Sequence, residues 1–341
     1  MQQDGLVVPV RVAVVGIGNI GSVHANCYRD DPRAELVAVV DIVPEKADAA
    51  AAEHGCRAFH SVQEFLEAGI DVDAVSVCTA GVENGGDHYE PTMQLLGAGI
   101  PVLGEKPISN DLARAEEMVA KAREANVAYG INLNHRFTPA ARLAREWVDS
   151  GRLGELNIIN MTMWINNPNE TAQHFHMRAL HPHSFDVMRY FGGDIRSIQA
   201  FFKKGTGRAT WSNVQVNVLF ENGIIGHLTG SYDAGPGYGL ETCEVVGSEG
   251  RLVINEACER LAFYPRHSAE VEEHDHPGGM QHFGETFASR IGAWLADIQA
   301  GTAPAEIDAK ADDALKAQTA IEAAIKSWNE GSVVLVKEVL S

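Results

Sequence analysis

The side chains best equipped for chemistry fall in a few short runs of the 341-residue sequence. The first is Gly16-Ile17-Gly18-Asn19-Ile20-Gly21, directly after the β-branched run Val10–Val15. A strand followed by G-x-G-x-x-G and a helix can cradle a pyrophosphate. Gly16 would allow a tight turn, Gly18 a close backbone approach, and Gly21 close packing of helix on strand. The helix N-terminus adds a positive dipole end. Asp41 closes the next apolar run about 20 residues on, where an acid accepts hydrogen bonds from ribose hydroxyls. Ile42 and Val43 follow it with no arginine to meet a 2′-phosphate, so the pattern favours NAD over NADP.

Gly104-Glu105-Lys106-Pro107 follows a later strand, at the carboxyl edge where doubly wound sheets bind ligands. A lysine there can donate to a substrate hydroxyl, stabilise a developing alkoxide and keep a nearby histidine neutral. Position alone fits a solvated lysine equally well. In His181-Pro182-His183-Ser184-Phe185-Asp186, His183 and Asp186 stand three apart and share one face of a helix that continues through Val187, Met188 and Phe191. They could also be surface or capping groups. The stretch from Trp164 to His183 mixes Trp164, Asn166, Asn167, His174, His176, Arg178 and His181. Sugar sites need such a mixture, since hydroxyls want directional partners and ring C–H faces stack on aromatics. Arg178 could grip a sugar phosphate or cap a helix. His174, His176, His181 and His183 are close enough for a metal reading, but no Cys or carboxylate pattern completes a zinc site, and no metal is expected. His274, His276 and His282 lie in an acidic, Pro/Gly-containing loop, which reads as a solvated turn or a loop near the substrate.

The elements that must position these residues divide in two. Strand-like runs 10–15, 35–40, 73–78 and 101–104 alternate with helical stretches 21–30, 44–54, 88–99 and 112–125. Continuous apolar strands alternating with helices imply a parallel sheet covered on both faces. After residue 132 a helix (139–150) leads to a long strand (155–165). Two-residue alternation follows at Val214, Val216, Val218 and Phe220, and strand character continues through 223–232 and 241–246. This predicts an antiparallel meander. Helical stretches 283–299 and 309–329 close the chain, the last with a stripe of Ile321, Ile325 and Trp328. The expected fold is α/β: an N-terminal Rossmann doubly wound parallel sheet (1–131), then a C-terminal α+β domain with a large, mostly antiparallel open sheet (132–341). The last helices are free to pack back on the first domain.

Lys plus Arg number 27 against 46 Asp plus Glu, a formal charge of −19 that repels phosphate backbones and anionic lipid. Nucleic acid and membrane are therefore not expected partners. Residues 1–9 carry no basic or apolar features of a secretion signal, and no apolar stretch is long enough for a membrane helix. Cys27, Cys56, Cys78, Cys243 and Cys258 are scattered, odd in number and form no C-x-x-C, which fits a reducing cytoplasm.

Taken in order, these runs resemble the glucose–fructose oxidoreductase / inositol dehydrogenase (Gfo/Idh/MocA) family over nearly the whole chain. The likeness includes His88 before a helix ending in Gly97-Ala98-Gly99, and the Glu105-Lys106-Pro107 triplet. It also includes Asn134-His135-Arg136-Phe137, Gly151-Arg152-Leu153-Gly154-Glu155 and His183-x-x-Asp186. The resemblance implies a cofactor set of Gly16, Gly18, Asn19, Ile20, Gly21, Asp41, Thr79, His88, Glu105 and Lys106. It places Lys106 beside the nicotinamide and substrate hydroxyl, with a bond before Pro107 that is often cis, and it makes His183 the general base with Asp186 as an orienting group. Lys106, Arg136, Trp164, His176, Arg178 and His183 are the expected substrate contacts. In inositol dehydrogenase-like members an aspartate commonly lies four residues before this histidine; here that position is Ala179.

The resulting expectation is an NAD-dependent dehydrogenase acting on a secondary hydroxyl of a sugar, glycoside or polyol. The run Met177-Arg178-Ala179-Leu180-His181-Pro182-His183-Ser184 resembles members that oxidise C3 of a glucose unit. Rival readings are an inositol-type dehydrogenase, a sugar hydride shuttle that retains its cofactor, and a non-catalytic NAD-binding sensor. The resemblance further implies a homo-oligomer, dimer or tetramer, formed through the second-domain sheet.

Overall fold

The computed structural model describes residues 8–81, 88–235 and 237–340. Most of the N-terminal segment read for a secretion signal lies outside the described residues. The chain divides into two compact units, residues 1–132 with 287–312, and residues 133–286 with 313–341.

The first unit contains β1 (Val10–Val15), α1 (Asn19–Asp30), β2 (Ala34–Val40), α2 (Pro44–His54), β3 (Arg57–Phe59), α3 (Val62–Glu67), β4 (Ala74–Val77), α4 (Tyr89–Gly97), β5 (Val102–Gly104), α5 (Leu112–Ala125) and β6 (Tyr129–Ile131). The strands form one six-stranded sheet in the order β3-β2-β1-β4-β5-β6, every pair parallel. β4 is buried along its length and β1 nearly so, which is why both read as unbroken apolar runs. β1 has β2 on one side and β4 on the other, so the winding reverses there. The turns after β1 and β4 thus meet at the switch point, where open α/β sheets bind ligands.

The second unit holds α6 (Pro139–Asp149), β7 (Leu156–Trp164), α7 (Phe175–Gly192), β8 (Ile195–Lys203), β9 (Asn213–Phe220), β10 (Ile225–Ser231), β11 (Glu241–Gly247), β12 (Gly250–Asn255), β13 (Arg260–Pro265) and β14 (Glu272–Asp275). α8 (Glu285–Ala300) lies almost wholly in the first unit. α9 (Ala311–Glu330) and β15 (Val334–Leu335) lie almost wholly in the second. Residues 287–312, which the sequence patterns left with the second domain, thus group with the first unit. Ile291, Trp294 and Leu295 of α8 share one buried cluster with Val10, Val12 and Leu103.

The second unit's nine strands run β14-β13-β12-β11-β7-β10-β9-β8-β15. All pairs are antiparallel except β7 with β10. Val214, Val216, Val218 and Phe220 point into the core, joined there by Phe185 and Met188 of α7 and Ala320, Ile321 and Ala324 of α9. Side chains of opposite parity, such as Phe201 and Ile225, are more than half exposed. Among the described residues no helix is long and apolar enough to cross a membrane.

Candidate functional site

The glycine turn has the geometry its residues predict. Gly16 has φ +89°, and a Cβ there would lie 2.7 Å from the Thr79 nitrogen, so the turn after β1 is pressed against the turn after β4. A Cβ on Gly21 would come within 1.8 Å of the Gly16 carbonyl oxygen. Gly18 differs: among the described residues a Cβ there would meet nothing within 4 Å. It is the N-cap of α1, no side chain caps that helix, and no acid lies in its first turn. Asp41 is buried; its carboxylate accepts from the Ile17 nitrogen (2.7 Å) and the Val43 nitrogen (2.9 Å), which fixes it beside the glycine turn. The Thr79 hydroxyl lies 3.1 Å from Nδ1 of the buried His88. Open backbone at Gly18, an uncapped helix end and a fixed ribose-height acid fit a bound NAD: Gly18 and the first turn of α1 would hold its pyrophosphate, Asp41 its adenosine ribose.

Lys106 is half-buried at the end of β5, and the bond to Pro107 is cis. Its neighbour Glu105 is buried and ends a line of polar groups. Tyr28 OH lies 2.7 Å from Ser76 Oγ, Ser76 Oγ 3.1 Å from His24 Nδ1, and His24 Nε2 3.0 Å from Glu105 Oε1. Asn132 Nδ2 donates to the same carboxylate oxygen at 2.5 Å. Burial raises the Tyr28 phenol and keeps it protonated. With tyrosine as first donor, Ser76 donates to Nδ1 and the Nε2–H of His24 points at Glu105. Burial opposes charge on Glu105, but His24, Asn132 and the charge of Lys106 outweigh it, so its carboxyl lies below the ordinary range. Burial in turn lowers Lys106, against the pull of Glu105.

In the second unit α7 carries the histidines. His181 is buried with Nδ1 2.9 Å from Ser184 Oγ and Nε2 3.2 Å from His176 Nε2. Burial pushes His181 down to about 3 and His176 well below its usual value, so both rings are neutral. Gly230 makes room for this pair, since a Cβ there would lie 2.2 Å from the His181 ring. His183 is 8% exposed and stacks on His135, ring centroids 4.1 Å apart and planes 15° apart. His135 belongs to the buried 3-10 turn Asn134–Phe137, and its Nδ1 lies 2.6 Å from the buried Glu241 carboxylate.

Several expected roles change here. Asp186, expected to orient His183, turns both carboxylate oxygens to Arg136, with Nε at 2.8 Å from Oδ2 and Nη2 against Oδ1. Burial pushes the Asp186 carboxyl up despite Arg136. Arg136, read as a substrate contact, also reaches Asp313 at 3.2 Å and lies over the Tyr190 ring. Arg178 pairs with Glu322 through two hydrogen bonds of 2.7 and 2.9 Å. His176 is held between His181 and the Tyr232 ring. A guanidinium drawn partly or wholly out of water takes up a nearby carboxylate, and these partners lie 50 and 144 residues away, beyond any local pattern. Trp164 stands half-buried and edge-on to the exposed Tyr238 ring. His174 packs on Phe202, and among the described residues no group of three His, Cys, Asp or Glu could hold a metal ion. His274 pairs with Glu272, and His276 with the Met280 carbonyl.

Local motifs gave no role to His24, Asn132, His135, Glu241 and Tyr238. Two of these left a signal. Glu241 falls in register with the core residues Cys243 and Val245 of β11, an acid at an apolar parity. His24 shares the buried face of α1 with Tyr28, four residues on.

Comparison with known proteins agrees with this architecture. The family model of the GFO/IDH/MocA oxidoreductases' NAD-binding Rossmann fold matches residues 10–133, and the model of that family's C-terminal domain matches residues 141–253. The chain is 27% identical to an inositol 2-dehydrogenase of Rhizobium meliloti over 333 residues, covering 94% of this chain and 97% of that one. It is 34% identical to a D-glucoside 3-dehydrogenase of Escherichia coli over 151 residues, covering 44% and 42%. A crystal structure described as a putative myo-inositol dehydrogenase from Sinorhizobium meliloti superposes with a TM-score of 0.80 at 26% identity, covering 96% of this chain and 99% of that one. With both family models matched in order, across more than half of its length and over the sheet each one requires, the chain belongs to the GFO/IDH/MocA family of NAD-binding oxidoreductases.

Proposed function

We propose that this oxidoreductase uses NAD to oxidise a secondary hydroxyl of a sugar, glycoside or polyol, with Lys106 and His183 as its catalytic residues. The observation that carries the reading is Lys106 itself: a half-buried cation at the carboxyl end of β5, next to an ionised, fully hydrogen-bonded Glu105. Burial makes its proton easier to share with an alkoxide, while Glu105 preserves its charge. His183 has a flat, enclosed ring suited to taking a hydroxyl proton, and in the reverse direction it returns it. NAD, when bound, accepts the hydrogen on carbon as hydride.

Trp164 and Tyr238 supply aromatic faces for a sugar ring, which supports a pyranose or glycoside over a small acyclic alcohol. The similarity to a D-glucoside 3-dehydrogenase supports C3 of a glucose unit as the carbon oxidised. Arg136, Arg178 and His176 act in this reading as scaffold. The proposal includes a homo-oligomer formed through the open sheet face that bears Phe201 and Ile225, and a cytoplasmic setting in which all five cysteines remain free thiols.

The test is NADH absorbance when the protein and NAD meet glucose, glucose 6-phosphate, methyl and plant glucosides, and myo- and scyllo-inositol. A rise with a glucoside that vanishes in His183→Ala supports the reading. A rise only with inositols moves the substrate, and silence across the panel with NAD bound overturns the dehydrogenase.

A further inference from the structure

The ring under His183 belongs to a pair with no part in the chemistry described so far. His135 and Glu241 are 2% and 3% exposed, and the carboxylate oxygen lies 2.6 Å from Nδ1. A carboxylate accepts only, so Nδ1 carries the hydrogen. Among the described residues, Nε2 of His135 is buried with no hydrogen-bond partner. A ring that merely filled space would cost less as phenylalanine, because an unmatched buried nitrogen is penalised. Instead the ring is held on three sides: Glu241 at one edge, Phe283 edge-on at 5.1 Å, and His183 flat against its face. Its turn is pinned on both sides too, by Asn134 donating to the Thr286 hydroxyl at 2.6 Å and by Arg136 on Asp186. Asp186, the other candidate for orienting the base, has both oxygens on Arg136.

We propose that His135 and Glu241 are the positioning residues of His183: Glu241 sets the plane of the His135 ring through Nδ1, and that plane sets the plane of the base. This deepens the reading of His183 as general base and rests on it for its catalytic meaning. No covalent step is involved. The carboxylate acts at a distance of one ring, so its removal disturbs the angle of the base rather than substrate contacts.

The experiment has a structural and a kinetic arm. Histidine ring signals are followed by NMR on the full chain, with His183 assigned through its loss in His183→Ala. Stacking at 4.1 Å places the His183 ring protons in the ring current of His135. Glu241→Gln still accepts the Nδ1–H and leaves the His183 shift in place. Glu241→Leu strands that hydrogen and moves the shift. In the kinetic arm Glu241→Leu lowers kcat by about 10- to 100-fold, the size of effect misplaced catalytic groups show, with KM nearly constant. The double variant His135→Phe with Glu241→Leu, which restores a flat ring without a stranded polar group, recovers most of it. A His183 shift unmoved in a folded Glu241→Leu protein, or a kcat unchanged there, overturns the proposal. So does a double variant no better than the single one. A parent protein that oxidises none of the sugars overturns the dehydrogenase reading instead, and the NMR arm still decides whether Glu241 sets the ring.

Discussion

Gly18 and Gly21 lie three residues apart in one motif, yet substitution by alanine should separate cofactor binding from folding. Gly18 has φ −91° and ψ −163°, which alanine adopts without strain, and its added Cβ meets no atom of the described residues within 4 Å. Alanine there should leave stability unchanged or raise it by about 0.4–1 kcal/mol through the unfolded chain. The methyl group would stand where the pyrophosphate must approach the backbone, so NAD affinity should fall at least ~10-fold, about 1.4 kcal/mol. At Gly21 the same methyl would sit 1.8 Å from the Gly16 carbonyl oxygen, so helix and turn must part by over an ångström. Overpacking of that kind costs about 1–3 kcal/mol before any ligand is added. Calorimetric titration with NAD, paired with thermal unfolding of each variant without NAD, reads both quantities. Parental NAD affinity in Gly18→Ala would refute the placement of the pyrophosphate. Equal thermal destabilisation of the two variants would refute the steric argument.

Two other outcomes follow from buried charges. Burial lowers Lys106 despite Glu105, so the ammonium proposed to donate to the substrate gives up its proton at a pH below the free lysine value of about 10.4. kcat/KM should therefore fall on the alkaline side at a pH under that value, and Lys106→Arg, which keeps its charge, should abolish that limb while lowering the maximum; an unmoved limb assigns it to another group. Asp186→Ala takes a buried carboxylate partner from the 5%-exposed Arg136, and breaking such a buried pair costs about 3–5 kcal/mol. Urea unfolding should show that loss, and a change under about 1 kcal/mol would mean water replaces the partner.

The nucleotide-binding elements were legible because their physics is local. Parallel strands buried on both faces must be apolar throughout, Gly16 is required by its positive φ, and Gly21 by its contact with Gly16. β3 and β6, three residues each, are too short to show a period. β8 hides its alternation because Phe201 is apolar on the open face and the register slips between Ile195 and Ser197. The turn between β12 and β13 gives no glycine or proline signal: Glu256 and Ala257 themselves take φ of 54° and 59°. At the candidate site, Lys106 and His183 are proposed from their runs. The commitments of Arg136 and Arg178 depend on carboxylates brought together by tertiary folding, and side-chain type alone cannot tell an arginine awaiting a ligand from one already paired.

The path of the chain also has a consequence for its synthesis. It leaves the first unit after residue 132, returns at 287 and departs again after 312. Arg290 donates to the Ile131 carbonyl at 3.1 Å, and Trp294 is fully buried in the first unit's core. A ribosome that has made only residues 1–132 has therefore released a Rossmann sheet without the side chains that seal its β6 side. Those arrive only after the whole of residues 133–286 has emerged. The first unit begun is thus finished only when residue 312 has emerged, and until then its unsealed edge must stay solvated or guarded by a chaperone.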